Sequence, residues 1–173
     1  MLQHYLQIKE YLSTQKRRLT RILLILSITV GMDQFTKYLV ISYINPFDYI
    51  EILPFVHLVL VTNKGVAFGM LKNVSSGFFI WVSIIAILLV IFLLIRDKEN
   101  YVSLSLILGG AAGNLIDRIR YGKVIDFIDL SLGTHHWPAF NVADSALTAG
   151  ILLILFNSAV ELFKKKEHAP HTL

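Results

Sequence analysis

Hydrophobic and polar residues in this chain do not alternate; they fall into blocks. The first stretch, MLQHYLQIKEYLSTQ, places Leu2, Tyr5, Leu6, Ile8 and Leu12 at a helical recurrence, the pattern of a segment lying on a membrane surface. After KRRLTR come four long apolar blocks, each near the ~20 residues that cross ~30 Å of hydrocarbon. They predict spanning helices at about 20–40, 75–95, 101–117 and 143–163. The second, SSGFFIWVSIIAILLVIFLLI, carries no charge. The first runs on from its basic flank into MDQFTKYLV with no small-residue cleavage site, so it reads as a retained helix and not a removed leader. In the third, YVSLSLILGGAAGNLID, Gly109 and Gly113 leave one helix face bare, which permits close approach of a neighbour.

Between the first two blocks, YIEILPFVHLVLVTNKGVAFGML is rich in β-formers but interrupted by Pro54 and an NKG turn, so short strands fit it better than a helix. A single segment of this kind predicts a hairpin or small cradle. The expected fold is therefore a membrane α-helical domain over residues 1–173, with four transmembrane helices and a small outer-face β-rich cradle. No internal repeat is visible, and EHAPHTL reads as a disordered tail.

Composition agrees with this pattern. Hydrophobic residues make up 55% of the 173, above the roughly 45–50% of soluble domains. The net charge of +4 does not point to nucleic acid, because the basic residues flank apolar blocks and form no stripe interleaved with aromatics. KRRLTR before the first helix, RDK after the second and KKK after the fourth predict that both termini are cytoplasmic. Segments 41–74 and 118–142 then lie on the outer side, and Arg118, Arg120 and Lys123 there call for pairing or a substrate contact. The absence of cysteine excludes disulfides, thiolate nucleophiles and Cys-based metal sites.

Polar residues beside membrane helices are expensive and usually face a bundle interior or a wet cavity. Here they gather at the predicted outer ends: Asp33, Gln34 and Lys37; Thr62, Asn63 and Lys64; Asn114, Asp117 and Arg118; and Asp126, Asn141 and Asp144. Several have structural explanations. Asp33 and Lys37, four apart, can neutralise each other; Asp117 and Arg118 can form a border ion pair; Asn141 or Asp144 can cap the fourth helix. The adjacent His135 and His136 would point to opposite faces of a strand and could not easily share a metal, so no metal is expected. Asn73-Val74-Ser75 matches a glycosylation sequon by a pattern common through chance. Asp126 and Asp144 have a chemical explanation besides: two close carboxylates share one proton, and such a pair can activate a water without a cofactor.

Taken together, DQFTK, TNKGVAF, GGAAGNLIDR, VIDF and FNVAD, in this order from residue 33 to about 145, resemble the motif set of the bacterial lipoprotein signal peptidases. The resemblance implies a membrane-embedded aspartic endopeptidase in the cytoplasmic (inner) membrane. Its substrates would be diacylglyceryl-modified prolipoproteins and its inhibitors of the globomycin type. It makes Asp126 and Asp144 the catalytic pair and assigns substrate binding to Asn63, Gly65, Asn114, Arg118, Asn141 and Ala143. Asp33, Lys37 and Asp117 become supporting residues. Two readings from other classes compete with it. A proton-coupled transporter should carry its acids near the midplane, often with repeat symmetry. A non-catalytic assembly factor would use the acids only for pairing.

Overall fold

The computed structural model describes residues 1–63 and 76–167, with side chains through 165. The phrase NKGVAF after Asn63, including Gly65, the sequon at 73–75 and the last six residues lie outside the described residues. The described residues contain four helices: α1 (Leu2–Tyr43), α2 (Ser76–Arg96), α3 (Tyr101–Tyr121) and α4 (Val142–Glu167). Each is long and apolar enough to cross a membrane.

Helix α1 differs from expectation. No glycine or proline interrupts it before Gly31, and its Gln, Lys, Arg and Leu residues are good helix formers, so the N-terminal stretch continues the spanning helix without a break. Its 42 residues correspond to about 63 Å, twice the hydrocarbon thickness. Residues 44–49 then close the helix, with Pro46 just past its end.

The small sheet is larger than expected. Strands β1 (Ile50–Leu53) and β2 (Val56–Asn63) form the anticipated hairpin, but the second inter-helix segment adds β3 (Val124–Leu132) and β4 (His135–His136). The order is β1-β2-β3-β4, all antiparallel, with irregular register between Leu58 and Val61. In β3 the residues Val124 to Phe127 are all buried, so polar and apolar positions do not alternate in the way that marks a half-exposed strand. The sheet rests on the end of α1 through Val40, Ile44 and Phe127, with Leu58, Leu60, Ile128 and Val142 around them.

Helices α1 and α4 both pack on α3, which is the centre of the bundle. Small residues set how closely they approach. A Cβ added at Gly109 would lie 2.7 Å from the Thr29 Cβ, and one at Gly113 would lie 2.5 Å from the Asp33 carboxylate. On the α4 side, a Cβ at Gly110 would collide with the Ala143 carbonyl oxygen. By contrast nothing lies within 4 Å of the corresponding position at Gly31. Gly110→Ala should therefore destabilise the protein by about 1–3 kcal/mol. Gly31→Ala should stabilise it by up to about 1 kcal/mol through helix propensity alone. Thermal unfolding in detergent checks both, and equal shifts would contradict the packing described for α3 and α4.

Helix α2 has no buried residue. Its exposed Phe78, Trp81, Ile85, Leu88, Leu89 and Phe92 suit contact with lipid, which is as apolar as leucine and gives no drive to bury them further.

Candidate active site

The site forms where the sheet meets the bundle. Helix α3 ends at Gly122, whose φ of 69° is the left-handed conformation that glycine adopts without penalty, and the chain turns directly into β3. Further on, Phe140 pairs with Ile128: its N–H donates to the Ile128 carbonyl at 3.0 Å, and its own carbonyl accepts from the Ile128 N–H at 2.8 Å. This clamp sets the start of α4 against β3 two residues beyond Asp126. Asp126 and Asp144 are thus delivered by different elements to one place.

Asn141 joins them. It is completely buried and stands at the position before α4. Its side-chain oxygen accepts from the Asp144 N–H at 2.9 Å, while its own N–H donates to the Asp144 carboxylate at 3.3 Å. This reciprocal box closes the N-terminus of the helix and is worth about 1 kcal/mol. The capping expected from the sequence is therefore present, and it is mutual. With its oxygen committed to the cap, the Asn141 amide nitrogen faces the other acid and donates to Asp126 at 2.7 Å and to the Ile125 carbonyl at 3.1 Å. Asn63 adds a second side-chain hydrogen bond to Asp126. Asn114 on α3 donates to Asp144 at 2.8 Å.

Burial, and then the neighbouring charge of Asp144, push the Asp126 carboxyl up from 3.8 to about 6; the hydrogen bonds from Asn63 and Asn141 and the Lys37 charge oppose the rise. The sign for stability follows. Below 3.8 the group is protonated folded or unfolded and contributes nothing. Between 3.8 and about 6 the folded protein holds a proton that the unfolded chain releases, so stability falls as pH rises, and above about 6 the penalty is complete. Asp126→Asn removes it. We expect this variant to exceed the parent by on the order of 1–2 kcal/mol at pH 8 and to match it near pH 4. Melting curves at the two pH values decide this, and an equal or lower stability at pH 8 would rule it out.

Beneath the two acids lies a buried ionic group. The Lys37 ammonium contacts Asp33 at 2.9 Å and Asp117 at 2.8 Å, and donates to the Asn114 side-chain oxygen at 3.2 Å. Asp33 also accepts from the Ala143 N–H at 2.9 Å, and Asp117 from the Ile125 N–H at 3.0 Å. Gln34 spans Asp33, Asp117 and the Gly113 carbonyl through its amide nitrogen. These bonds tie α1 and α3 to the residues that precede the two acids, Ile125 before Asp126 and Ala143 before Asp144.

One expectation changes here. Asp117 pairs with Lys37 and not with its sequence neighbour Arg118. The fixed side-chain geometry explains this, since consecutive helix residues point apart. Ala143 is fully buried with its N–H taken, and Asn114 and Asn141 are buried with every amide group engaged. In this arrangement they support the two acids. Arg118 is partly buried: one nitrogen donates to the Asn114 carbonyl at 3.3 Å, and its buried Nε has no hydrogen-bond partner among the described residues. Arg120 stacks on Tyr121 at 5.3 Å.

The sequence reading missed one polar group on the sheet. Asp129 accepts from Tyr49 at 3.3 Å and lies 2.9 Å from a ring nitrogen of His136, while Tyr49 stacks on His57 at 4.3 Å. Its members are scattered between residues 49 and 136, and no local pattern announces them. No cluster suited to a metal occurs among the described residues.

Fold and site together define a polytopic membrane protein with a buried polar centre under a small sheet. The sequence pattern of the signal peptidase II family matches residues 25–160, and the chain belongs to that family, which makes it a membrane peptidase. It is 49% identical over 127 residues to the lipoprotein signal peptidase of Thermodesulfovibrio yellowstonii, covering 73% of this chain and 86% of the relative. The corresponding protein of Francisella tularensis subsp. novicida is 40% identical over 146 residues, 80% of this chain and 89% of its own. A bacterial membrane enzyme structure obtained by the in meso method at 2.3 Å resolution is similar with a TM-score of 0.74 at 32% identity, over 88% of this chain and 93% of the other. A second, at 1.9 Å, gives 0.72 at 35% identity over 79% and 90%.

Proposed function

We propose that this peptidase removes the signal peptide from diacylglyceryl-modified prolipoproteins, cutting just before the lipidated cysteine, and that Asp126 and Asp144 activate the attacking water. The observation that carries the reading is the pair itself: two acids on separate elements, linked through one buried asparagine, with Asp126 raised to about 6. Such a pair holds one proton between two carboxylates. The ionised member takes a proton from water as the oxygen attacks the scissile carbonyl; the protonated member donates to the developing oxyanion and later supplies a proton to the departing amine. No metal or cofactor enters the scheme.

Arg118, with its unpartnered Nε, is the side chain suited to hold a substrate backbone carbonyl. The resemblance adds Asn63 and Gly65 to the substrate contacts and globomycin-type compounds to the inhibitors. The Lys and Arg flanks support a reading in which both termini are cytoplasmic and the acids lie near the outer face of the inner membrane. A transporter is a poorer fit, since the acids sit where the bundle ends against the sheet and not between helices at mid-depth.

The test is direct. Purified protein is incubated with a lipidated prolipoprotein and with the same chain lacking lipid. A shortened product from the lipidated chain alone is expected; equal cleavage of both, or of neither, would reject the substrate assignment.

A further inference from the structure

At the end of the bundle opposite the sheet, α1 and α2 enclose a second polar feature with no part in the proposed cleavage. Arg18 reaches across from α1 and donates through one nitrogen to the carbonyls of Leu94 at 2.5 Å and Asp97 at 2.9 Å. These are carbonyls that the end of α2 leaves without helical partners. Arg18 thereby fixes the two helices together and forms the floor of a cleft. A space of about 350 Å³ beside it is lined by Thr14, Gln15, Arg17, Arg21, Lys98 and Tyr101. Arg21 donates to the Tyr101 hydroxyl at 3.1 Å, and the Lys98 ammonium lies 5.7 Å from the Tyr11 ring. None of the ion pairs among the described residues includes Arg17, Arg18, Arg21 or Lys98. Several cations therefore converge here, and although the Asp97 carboxylate lies close enough to feel Arg18, none of them is held in a direct ion pair.

The cleft is continuous with a greasy groove. Gln15, Arg18 and Lys98 line both, and the groove, about 430 Å³, adds Leu19, Ile22, Leu94 and Ile95. Leu19 and Ile95 are more than half exposed. The depth is also informative. Arg17 and Arg21 lie 20 and 16 residues before Lys37 on one unbroken helix, or about 24–30 Å along its axis. That is close to the ~30 Å of a hydrocarbon core, so when the ionic group beneath the acids is near one interface, this cleft is at the headgroups of the other.

We propose that the cleft and groove form a phospholipid site. An anionic phosphodiester headgroup sits among Arg17, Arg21 and Lys98, and an acyl chain lies along Leu19, Ile22, Leu94 and Ile95. The shared chemistry is a phosphate oxyanion, which inorganic phosphate also offers, but only a lipid uses the apolar groove. Cations without direct ion-pair partners at a defined concavity recognise anionic headgroups more tightly than a flat basic surface does.

Native mass spectrometry of the detergent-purified full chain provides the test, after incubation with equal amounts of phosphatidylglycerol and phosphatidylcholine. We expect one phosphatidylglycerol to be retained in preference to the neutral lipid. Arg17→Gln/Arg21→Gln should reduce that preference about tenfold or more, given the contribution of each basic group to anionic-lipid binding. Lys9→Gln/Lys165→Gln, which removes the same charge elsewhere, should leave it unchanged, and melting curves confirm that both variants are folded. Equal losses in the two double variants would reduce the effect to bulk charge and overturn the proposal. Displacement of the lipid by millimolar inorganic phosphate would also overturn it, by assigning the cleft to a free anion.

Discussion

Asp126→Asn and Asp144→Asn are each expected to lower cleavage of lipidated prolipoprotein by about 10³-fold or more while leaving the protein folded, because asparagine cannot exchange the proton on which the step depends. The environment of each acid makes the substitution a fair test. An asparagine at 144 can still accept from the Asn141 N–H and from Asn114, and one at 126 can still accept from Asn141. The cap and the clamp at Phe140 should therefore survive. The double variant should be little worse than the poorer single one, since residues that act as a unit do not contribute additively. Initial rates on one substrate, with melting curves as the control for folding, give the answer. Near-parental turnover by either folded variant would remove that acid from the mechanism.

The largest effect on stability is expected at Lys37. Its ammonium is 2.9 Å from Asp33 and 2.8 Å from Asp117, and all three side chains are almost fully buried. Lys37→Met leaves two carboxylates in an apolar bundle with no cation. Removing one partner of a buried ionic group in this way costs about 3–5 kcal/mol. A buried charge group is not itself a source of great stability, and the prediction has a second half for that reason. Adding Asp33→Asn and Asp117→Asn to Lys37→Met should recover a good part of the loss, because the stranded charges go with the cation. Thermal unfolding in detergent reads both. A Lys37→Met protein as stable as the parent would mean that the group carries no structural weight. The single variant should also turn over substrate poorly, since Lys37 holds Asn114 and Asn114 holds Asp144.

The helices were legible because lipid imposes a length and a composition that little else in a sequence imitates. Their ends were less so. The N-terminal stretch looked like a surface-lying segment, yet nothing between Leu2 and Arg21 can break a helix, and backbone continuity prevailed over the amphipathic pattern. Strand β3 escaped notice because a strand buried on both faces loses the alternation that identifies it, and because Asp126 and Asp129 punctuate it with polar residues. For the site, the sequence revealed which polar residues were out of place and the local Asp33–Lys37 pair, but not the partners that come from other elements. Asp117 stands beside Arg118 in the chain and bonds to Lys37 on another helix. Asn141 and Ala143 resembled substrate contacts by their motif, and the motif gave no sign that both are completely buried beside the acids. Such pairings depend on how α1 and α4 dock on α3, and that is set by glycines and packing that no local motif records.

The Lys37–Asp33 pair also bears on how the chain enters the bilayer. Helix α1 is synthesised before α3, so it can be integrated before Asp117 exists. With Asp33 and Lys37 one turn apart on a single helix, opposite charges travel together, and the segment can be released from the insertion machinery without waiting for a partner. Asp117 takes its ion-pair partner from another helix; it arrives with α3 and finds Lys37 already in place. The buried cation is thus a receptor for the later helix, and the order of translation is the order in which the charges can be compensated. A chain permuted to make α3 before α1 would have to integrate Asp117 without Lys37, and its yield of correctly inserted protein should suffer at that step.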